Sequence, residues 1–372
     1  MGPAVATTRP MRPVTFLVAA LIVAAPAAYM VAAAPHGHAL VDRGALPLTA
    51  PLPTTVPPGV TLVIGDAMTE RVLKHTGWIK DVPFTIKWAQ IAGGPGVTEA
   101  FHAKVLDVGL GVHIPPIHAV WVGIPVRIIA VVMRADPVGH PLYELATAPR
   151  SGINSLADLR GKRIAFSPGQ VQGEVVLRTL QSQGLSTKDV TLVELPSTSA
   201  DIYINALIGG LVDVAPMAPG AAAKHYVANY GDEGARVLRH APFRDDVTTL
   251  YVRQETLEDP GKAAALREYV KIWARAQLWM QAHKEEWTQT YYVKDQHLSN
   301  TDAHYVADAA GDRVIPRDWN EVIRLQQSAI DLMAGQMGQK RFDAATLFDR
   351  RFEAVGADAW AQAARPPTLA AQ

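Results

Sequence analysis

The residues best suited to chemistry in this sequence stand around Gly111 and His113. An alternating apolar run precedes them, and Gly109 and Gly111 permit a tight turn of the backbone. Pro115 and Pro116 suit the first turn of a helix, where a missing N–H costs nothing. The start of a helix attracts an anion through its unpaired N–H donors and its dipole. The pattern therefore predicts an anion-binding site at the end of this strand.

Other strand ends are predicted to face the same ligand, because ligands of a doubly wound sheet lie beyond the carboxyl ends of its strands. Hydrogen bonds to a charged group contribute about 1.5–3 kcal/mol each, and micromolar binding needs about 8 kcal/mol. About three or four backbone donors and a buried alkyl tail reach that value without an arginine. The candidate ligand-binding residues are Asp66, Ala67, Met68, Gly94, Gly111, Val112, His113, Gln170, Val171, Gln172, Gly173, Met217 and Ala218.

Each of these side chains also has a purely structural interpretation. Asp66 suits the N-cap of the following helix, and a carboxylate disfavours an anion unless the ligand carries an amine. His113 is either a surface loop residue or a donor or cation to the ligand. Gln170 and Gln172 either satisfy loop carbonyls or present amide donors, and Met217 suits core packing. The side chains leave the identity of the ligand open.

The composition excludes several classes of site. Among 372 residues, Lys plus Arg and Asp plus Glu number 35 each, so no broad field favours nucleic acid as a partner. The absence of cysteine removes disulfides, thiolate zinc sites, iron–sulfur clusters and a cysteine nucleophile. His113 and His118 do not share a helical face, so they predict no metal pair. We expect no cofactor, no metal and no catalytic residue.

The elements that must position the candidate residues alternate strands with helices, the pattern of a parallel sheet covered on both faces. The predicted strands cover 60–64, 84–91, 126–133, 163–166, 190–195, 212–215 and 247–252, and the predicted helices cover 70–75, 97–104, 173–183, 262–284, 322–337 and 344–352. The glycines and proline of 93–96 predict a turn. The rise in polarity over 137–154 predicts a segment that crosses between two lobes.

The amino-terminal part predicts export. Arg9 and Arg12 precede an apolar run from Val14 to Ala34 that ends in small residues, the layout of a secretory signal. The run is also long enough to span a bilayer, for which about 20 apolar residues are needed. Residues 1–39 are therefore either a cleaved signal peptide or a retained membrane anchor. Either way, the rest of the chain is expected on the periplasmic or cell-surface side of the cytoplasmic membrane.

The length of the chain predicts two lobes rather than one core. Residues 40–58 are rich in proline and lack periodicity, which predicts an extended linker that is not part of a core. We predict that the first lobe comprises 59–150 and 246–362 and that the second comprises 151–245. Residues 363–372 are predicted to form a disordered tail.

Several segments between Val60 and Phe352 carry a family resemblance in a consistent order. They are Gly94-Pro95 with Glu99-Ala100, Asp107-Val108-Gly109, Ile114-Pro115-Pro116-Ile117, Ser155 to Lys162, Gly210 to Asp213, and Gln326-Gln327 with Ile330-Asp331-Leu332. With these residues the chain resembles the nitrate/sulfonate/taurine solute-binding proteins of ABC importers, above all their aliphatic-sulfonate-binding branch. The resemblance implies a type II periplasmic-binding-protein α/β fold. In that fold two lobes, each a mixed sheet flanked by helices, close on a ligand, and the carboxyl-terminal part is helical.

The departures from the family pattern fall on the ligand side. Asp66-Ala67 stands where the family usually has Tyr-Gln, and Gly111-Val112-His113 stands where it has Thr-Gly-Asp. Gln170-Val171-Gln172 replaces a Ser-rich loop, and Ala215 to Gly220 replaces a Trp-x-x-Trp-Asp-Pro sequence. The resemblance therefore supports the fold more strongly than it supports a sulfonate ligand.

The resemblance implies a monomeric, non-catalytic receptor outside the cytoplasmic membrane. Such a receptor captures a small organic anion, for example an aliphatic sulfonate, taurine or nitrate, and delivers it to the membrane subunits of an ABC importer. One alternative is a membrane-tethered sensor or accessory binding protein with a different, non-sulfonate ligand, which a retained anchor would favour. Another is an enzyme on this scaffold. Relatives with a desulfinase or pyrimidine-forming activity look cysteine-dependent, so the absence of cysteine argues against an enzyme.

Overall fold

The computed structural model describes residues 45–365, apart from residues 92 and 198. The predicted signal or anchor of residues 1–39 lies outside the described residues, as do residues 366–372 of the predicted tail. Ala363, the first residue of the tail predicted over 363–372, is the last residue of a helix. Within the described part of the chain, no helix is both long and apolar enough to cross a membrane.

The strands of the described chain fall into two sheets. They are β1 (Thr61–Gly65), β2 (Thr85–Trp88), β3 (Val108–Val112), β4 (Val126–Arg134), β5 (Glu144–Thr147), β6 (Arg163–Phe166), β7 (Thr191–Glu194), β8 (Val214–Met217), β9 (Val237–Leu238), β10 (Thr248–Arg253) and β11 (Arg313–Val314). The first sheet has the order β11-β4-β10-β3-β1-β2, and the second has the order β7-β6-β8-β5-β9. Both sheets mix parallel and antiparallel pairs.

Helices cover the sheets and make up most of the chain after β10. They are α1 (Ala67–Thr76), α2 (Gly93–His102), α3 (Ile114–Trp121), α4 (Val171–Ser182), α5 (Ala200–Ile208), α6 (Ala221–Tyr230), α7 (Gln254–Glu258), α8 (Pro260–Ala282), α9 (Lys284–Trp287), α10 (Asn300–Ala310), α11 (Asn320–Met337) and α12 (Val355–Ala363). A π-helix over Thr288–Asp295 follows α9 directly. The predicted mixed α/β fold with two sheets and a helical carboxyl-terminal part is confirmed.

Apolar periodicity explains the main elements. The strand β4 is apolar at nearly every position and is buried on both faces, as expected of a strand in the middle of a covered sheet. Helix α8 presents Tyr269 and Trp273 to the core, and both side chains are fully buried. A separate group of buried residues, which includes Tyr203 and Tyr226, packs against the second sheet.

Three local predictions were wrong. The predicted turn at 93–96 is the first turn of α2, because Pro95 lies where a helix needs no N–H donor. The stretch 137–154 does run from the first sheet to the second, but it already contains β5, which pairs with β8 and β9, so the boundary predicted at residue 150 was too late and β5 belongs to the second sheet. The helix predicted over 344–352 is two short 3-10 turns, which begin at the capping side chains of Asp343 and Asp349.

The described part of the predicted linker, residues 45–58, packs against the fold instead of standing apart from it. Leu48, Leu52 and Val56 contact the main core, and Leu46 N donates to Glu258 O over 2.7 Å. The apolar residues between the prolines bury surface there, which the absence of periodicity did not reveal.

Candidate functional site

Each sheet brings two of the predicted groups to one edge. In the first sheet, β1 runs parallel to β3 with Gly65 opposite Gly109, so the residues that follow both strands lie at a shared carboxyl edge. In the second sheet, β6 runs parallel to β8 with Ile164 opposite Val214, so the loops that follow them also lie side by side. This arrangement is the one that the strand pattern predicted for ligand-facing loops.

The two edges meet at Gly94 and Gln170. A methyl group added to Gly94 would lie 2.9 Å from Gln170 Oε1 and 2.7 Å from Pro115 Cγ, so this position accommodates only a glycine without displacement of its neighbours. A methyl group on Gly111 would lie 3.7 Å from the same Pro115 ring atom. The structure therefore brings Gly94, Gly111 and Gln170 together at the starts of α2 and α3, and Val112 follows Gly111 at the end of β3.

His113 contacts a buried carboxylate of the second lobe. Its Nε2 lies 2.6 Å from Glu174 Oε2, and Arg178 Nε donates to Glu174 Oε1 over 2.7 Å. Burial raises the pKa of Glu174, but His113 and Arg178 outweigh that effect and hold the pKa below its ordinary value. Glu174 is therefore ionised, and His113 Nε2 must be the donor. The Nδ1 atom of His113 has no hydrogen-bond partner in the described part of the chain.

The start of α3 offers fewer donors than a helix start usually does. Pro115 and Pro116 occupy its first turn and carry no N–H group. The predicted number of free N–H donors at this helix start was therefore too high. An anion near Gly111 would depend on donors from the loop and from α2 as well.

Asp66 is the buried N-cap residue of α1. Its carboxylate accepts hydrogen bonds from Thr69 N at 3.1 Å, Thr69 Oγ1 at 2.7 Å and Tyr269 OH at 3.2 Å. The side chain is buried, and burial raises its pKa against the lowering effect of these hydrogen bonds. The structure supports the capping interpretation, while Ala67 is exposed and Met68 faces a cavity.

The second lobe contributes a polar cluster that the sequence analysis found only in part. Gln172 is 7% exposed, and its Oε1 has no hydrogen-bond partner among the residues that the structure describes. Burial raises the pKa of Tyr143, and the neighbouring Gln172 amide opposes this. Burial also raises the pKa of Tyr203 to about 12 against the opposing effect of the Ser167 hydroxyl. Both tyrosines were missed because neither follows the carboxyl end of a strand.

The remaining candidates are mainly structural. Met217 is buried in the core of the second lobe, and Val171 is fully buried at the start of α4. A methyl group on Gly173 would lie 2.5 Å from the Ser167 carbonyl oxygen, so Gly173 permits close packing of the loop. Ala218 is exposed.

A cavity of about 170 Å³, called the inner cavity below, lies at the first sheet. Its lining includes Met68, Leu110, Thr248, Arg134 and Arg313, so Met68 is the predicted site residue that faces it. A charged residue that ends the long apolar run of β4 is a signal that could have identified Arg134. No comparable signal marks Arg313, which lies in a strand of two residues. Among the described residues, no group of His, Asp and Glu is arranged to hold a metal ion.

Comparisons with known proteins found similar sequences. Residues 74–242 match the family described as NMT1/THI5 like. The chain is 30% identical over 105 residues to an aliphatic sulfonates-binding protein of Escherichia coli K12, covering 28% of this chain and 32% of the relative. It is 23% identical over 230 residues to one of Bacillus subtilis 168, covering 60% and 66% respectively. The chain thus spans less than two thirds of the length of these curated relatives.

Solved structures share the fold. The alkanesulfonate-binding protein of Xanthomonas axonopodis pv. citri, bound to MOPS, has a TM-score of 0.65 at 21% identity over 80% of this chain and 99% of its own. A desulfurization enzyme in complex with biphenyl-2-sulfinic acid has a TM-score of 0.56 at 15% identity over 80% and 99%. The fold is therefore that of the periplasmic binding proteins. The same fold also occurs in an enzyme. The resemblance seen in the sequence is confirmed: the chain is similar to sulfonate-binding proteins, and its residues 74–242 carry the NMT1/THI5-like family segment.

Proposed function

We propose that this protein is a non-catalytic receptor that captures a small organic anion between two lobes. It acts as a monomer on the outer side of the cytoplasmic membrane and delivers the anion to the membrane subunits of an ABC importer. The names of the Escherichia coli and Bacillus subtilis relatives support an aliphatic sulfonate as the ligand. The observation that carries the proposal is the meeting of two strand-end edges, one from each sheet, at Gly94 and Gln170.

Each of the two proposed lobes contains one of the two sheets. The first lobe holds 59–150 without β5, together with 246–362, and the second holds 151–245 with β5. The segments between β4 and β5 and between β9 and β10 connect them. Two lobes joined by such segments can open to admit a solute and close to exclude water from it.

A membrane-tethered sensor or accessory binding protein with a non-sulfonate ligand is the second candidate. The contact of His113 favours a non-sulfonate ligand, because this side chain was expected to face the anion but is held by Glu174 instead. Amino-terminal sequencing of the exported protein distinguishes the two. A start at Met1 or Gly2 supports the tether, whereas a start near the end of the predicted leader supports the soluble receptor.

An enzymatic role has less support. A structural neighbour is a desulfurization enzyme, but its likeness at 15% identity extends to the fold alone. This chain contains no cysteine that could act as a nucleophile. The relatives named after their ligands are described as binding proteins.

Thermal-shift measurements with sulfonates, nitrate, taurine, carboxylates and aromatic acids test the proposal. At least one anion is expected to raise the melting temperature of the wild-type protein, because a ligand that binds the folded state stabilises it. Gly111→Asp is expected to abolish the shift, since it places a negative charge at the starts of α2 and α3.

Gly111→Ala is the matched control for this test. Its methyl group would lie 3.3 Å from Tyr251 Cε1, so a small displacement accommodates it, and the ligand-induced shift is expected to remain. A shift that survives in Gly111→Asp contradicts the proposed position of the site. The absence of a shift with every anion contradicts the proposed function.

A further inference from the structure

Arg313 separates two cavities and has no ionic partner. It lines the inner cavity and also an outer cavity of about 260 Å³, whose wall includes Lys284, Trp287 and Tyr292. Its guanidinium donates to Gln277 Oε1, and its backbone N donates to a second glutamine. It forms no salt bridge with a carboxylate in the described part of the chain. Removing a guanidinium from bulk water without an anionic partner costs free energy.

The carboxylates around the inner cavity are already occupied. Asp246 lies on its wall, but Arg244 Nη1 donates to Asp246 Oδ2 over 2.9 Å, and Arg134 N donates to the same oxygen. Asp66 lies close enough to Arg313 to raise its pKa, but the Asp66 carboxylate is enclosed by the hydrogen bonds of the cap. Neither carboxylate is free to pair with an incoming ammonium group.

The other cation of the inner cavity is also engaged. Arg134 Nη1 donates to the carbonyl oxygens of His140 and Pro141, each over 2.6 Å. The carboxylates of Asp245 and Asp246 also act on the charge of Arg134, whereas the Arg313 guanidinium has a single hydrogen bond to a neutral amide among the described residues. Apolar side chains complete the wall, namely Met68, Leu110, Val132, Met133 and Leu142.

We propose that the inner cavity belongs to the same ligand site, because its wall includes Leu110, the neighbour of Gly111 in β3. In this cavity Arg313 binds the anionic group of the solute, and the cavity selects an organic monoanion with a short apolar body over a zwitterion. This inference rests on the proposed function. A guanidinium presents a planar fork of N–H donors that matches the oxygens of a sulfonate or carboxylate. The apolar wall accommodates the alkyl body, whereas a terminal ammonium would lose water without gaining a carboxylate. Arg313 also lines the outer cavity, whose wall includes the exposed side chains of Lys284 and Asp308.

The test compares butane-1-sulfonate with taurine by isothermal titration calorimetry. Wild-type protein is expected to bind butane-1-sulfonate at least about tenfold more tightly than taurine. Arg313→Gln is expected to lose about tenfold or more in affinity for butane-1-sulfonate, because a charged hydrogen-bond partner is gone. Arg317→Gln is the matched control, since this exposed arginine lies outside both cavities and is expected to leave binding unchanged.

The outcomes separate this inference from the proposed function. Butane-1-sulfonate binding that Arg313→Gln leaves unchanged overturns the role of Arg313 alone, and tighter binding of taurine overturns the selectivity. No binding of either compound or of any anion in the thermal-shift panel contradicts the proposed function as well. If Arg313→Gln does not fold, Arg313→Lys replaces it. That variant keeps the charge near Asp66 but loses the planar fork, so its affinity is expected to fall, and an unchanged affinity overturns the inference.

Discussion

Glu174 shows what a single residue does to the candidate site. Its carboxylate is buried between His113 and Arg178, and it joins α4 of the second lobe to the start of α3 in the first. A buried carboxylate is tolerated only when charged hydrogen bonds compensate for its lost hydration. His113 therefore serves at least as a contact between the lobes, and its role toward a ligand stays a prediction.

Replacing Glu174 by alanine is expected to lower the free energy of unfolding by about 3–5 kcal/mol, because the donors of His113 and Arg178 lose the buried carboxylate that accepts from both. Urea unfolding followed by circular dichroism measures this change. Glu285→Ala is the control, since Glu285 pairs with His304 on the surface, where water screens the pair, and its loss is expected to cost much less. Equal losses of unfolding free energy in the two variants would show that the buried contact stabilises the protein no more than the surface pair does.

At the scale of elements, Asp245 forms hydrogen bonds with both segments that connect the sheets. Its carboxylate accepts hydrogen bonds from Leu142 N at 2.9 Å and Tyr143 N at 2.8 Å, just before β5. His240 Nε2 lies 3.2 Å from the same carboxylate. One buried side chain thus ties together the two segments that connect the sheets, so their relative movement must rearrange these contacts.

The His240 contact predicts a pH dependence of stability. Burial lowers the pKa of His240, but the Asp245 carboxylate and other hydrogen-bond acceptors raise it by a larger amount. The folded pKa therefore lies above the ordinary value. A raised pKa means that protonated His240 stabilises the folded state fully below about pH 6.5, the unfolded value. This contribution is lost as the pH rises through the folded pKa.

We expect the difference in unfolding free energy between wild type and His240→Gln to shrink as the pH rises from about 6 to about 8.5. Urea titrations at several pH values measure the difference, and His102→Gln controls for the loss of a surface imidazole. A difference that grows with pH would reverse the assigned sign and contradict the contact between His240 and Asp245.

At the scale of the whole molecule, a second contact links the lobes through α6 and α10. Asp302 accepts hydrogen bonds from Lys224 Nζ at 2.7 Å and from His225 Nε2 at 3.0 Å. The Lys224 ammonium, the Ser299 hydroxyl and His225 hold the pKa of Asp302 at about 2. With the contact between α3 and α4, this pair connects the lobes at two separate places.

Asp302→Ala is expected to shift the protein toward a more open arrangement, because the α6–α10 contact loses its hydrogen bonds to Lys224 and His225. Small-angle X-ray scattering without ligand should show a larger radius of gyration than that of the wild type. Asp308→Ala on the same helix is the control, since Asp308 is exposed and pairs with Lys284 within the first lobe. Identical scattering from wild type and Asp302→Ala would show that this contact does not hold the lobes together.

Local patterns in the sequence predicted much of the scaffold. Alternating apolar residues located β1, β3 and β4, and the helical periodicity located α8 and α11. The glycines at the strand ends predicted where the two sheets would present loops. Such features depend on neighbours a few residues away, so the sequence alone determined the two-sheet α/β fold and the order of most of its elements.

Only the tertiary structure decided which polar groups at those edges are free. Asp66 is enclosed by Thr69 and Tyr269, and His113 is held by a glutamate that lies 61 positions away in the chain. Arg313 reaches the inner cavity from a strand of two residues that has no recognisable pattern. The physical reason is that the availability of a donor or a charge depends on its partners and its burial, and both are set by contacts between distant segments.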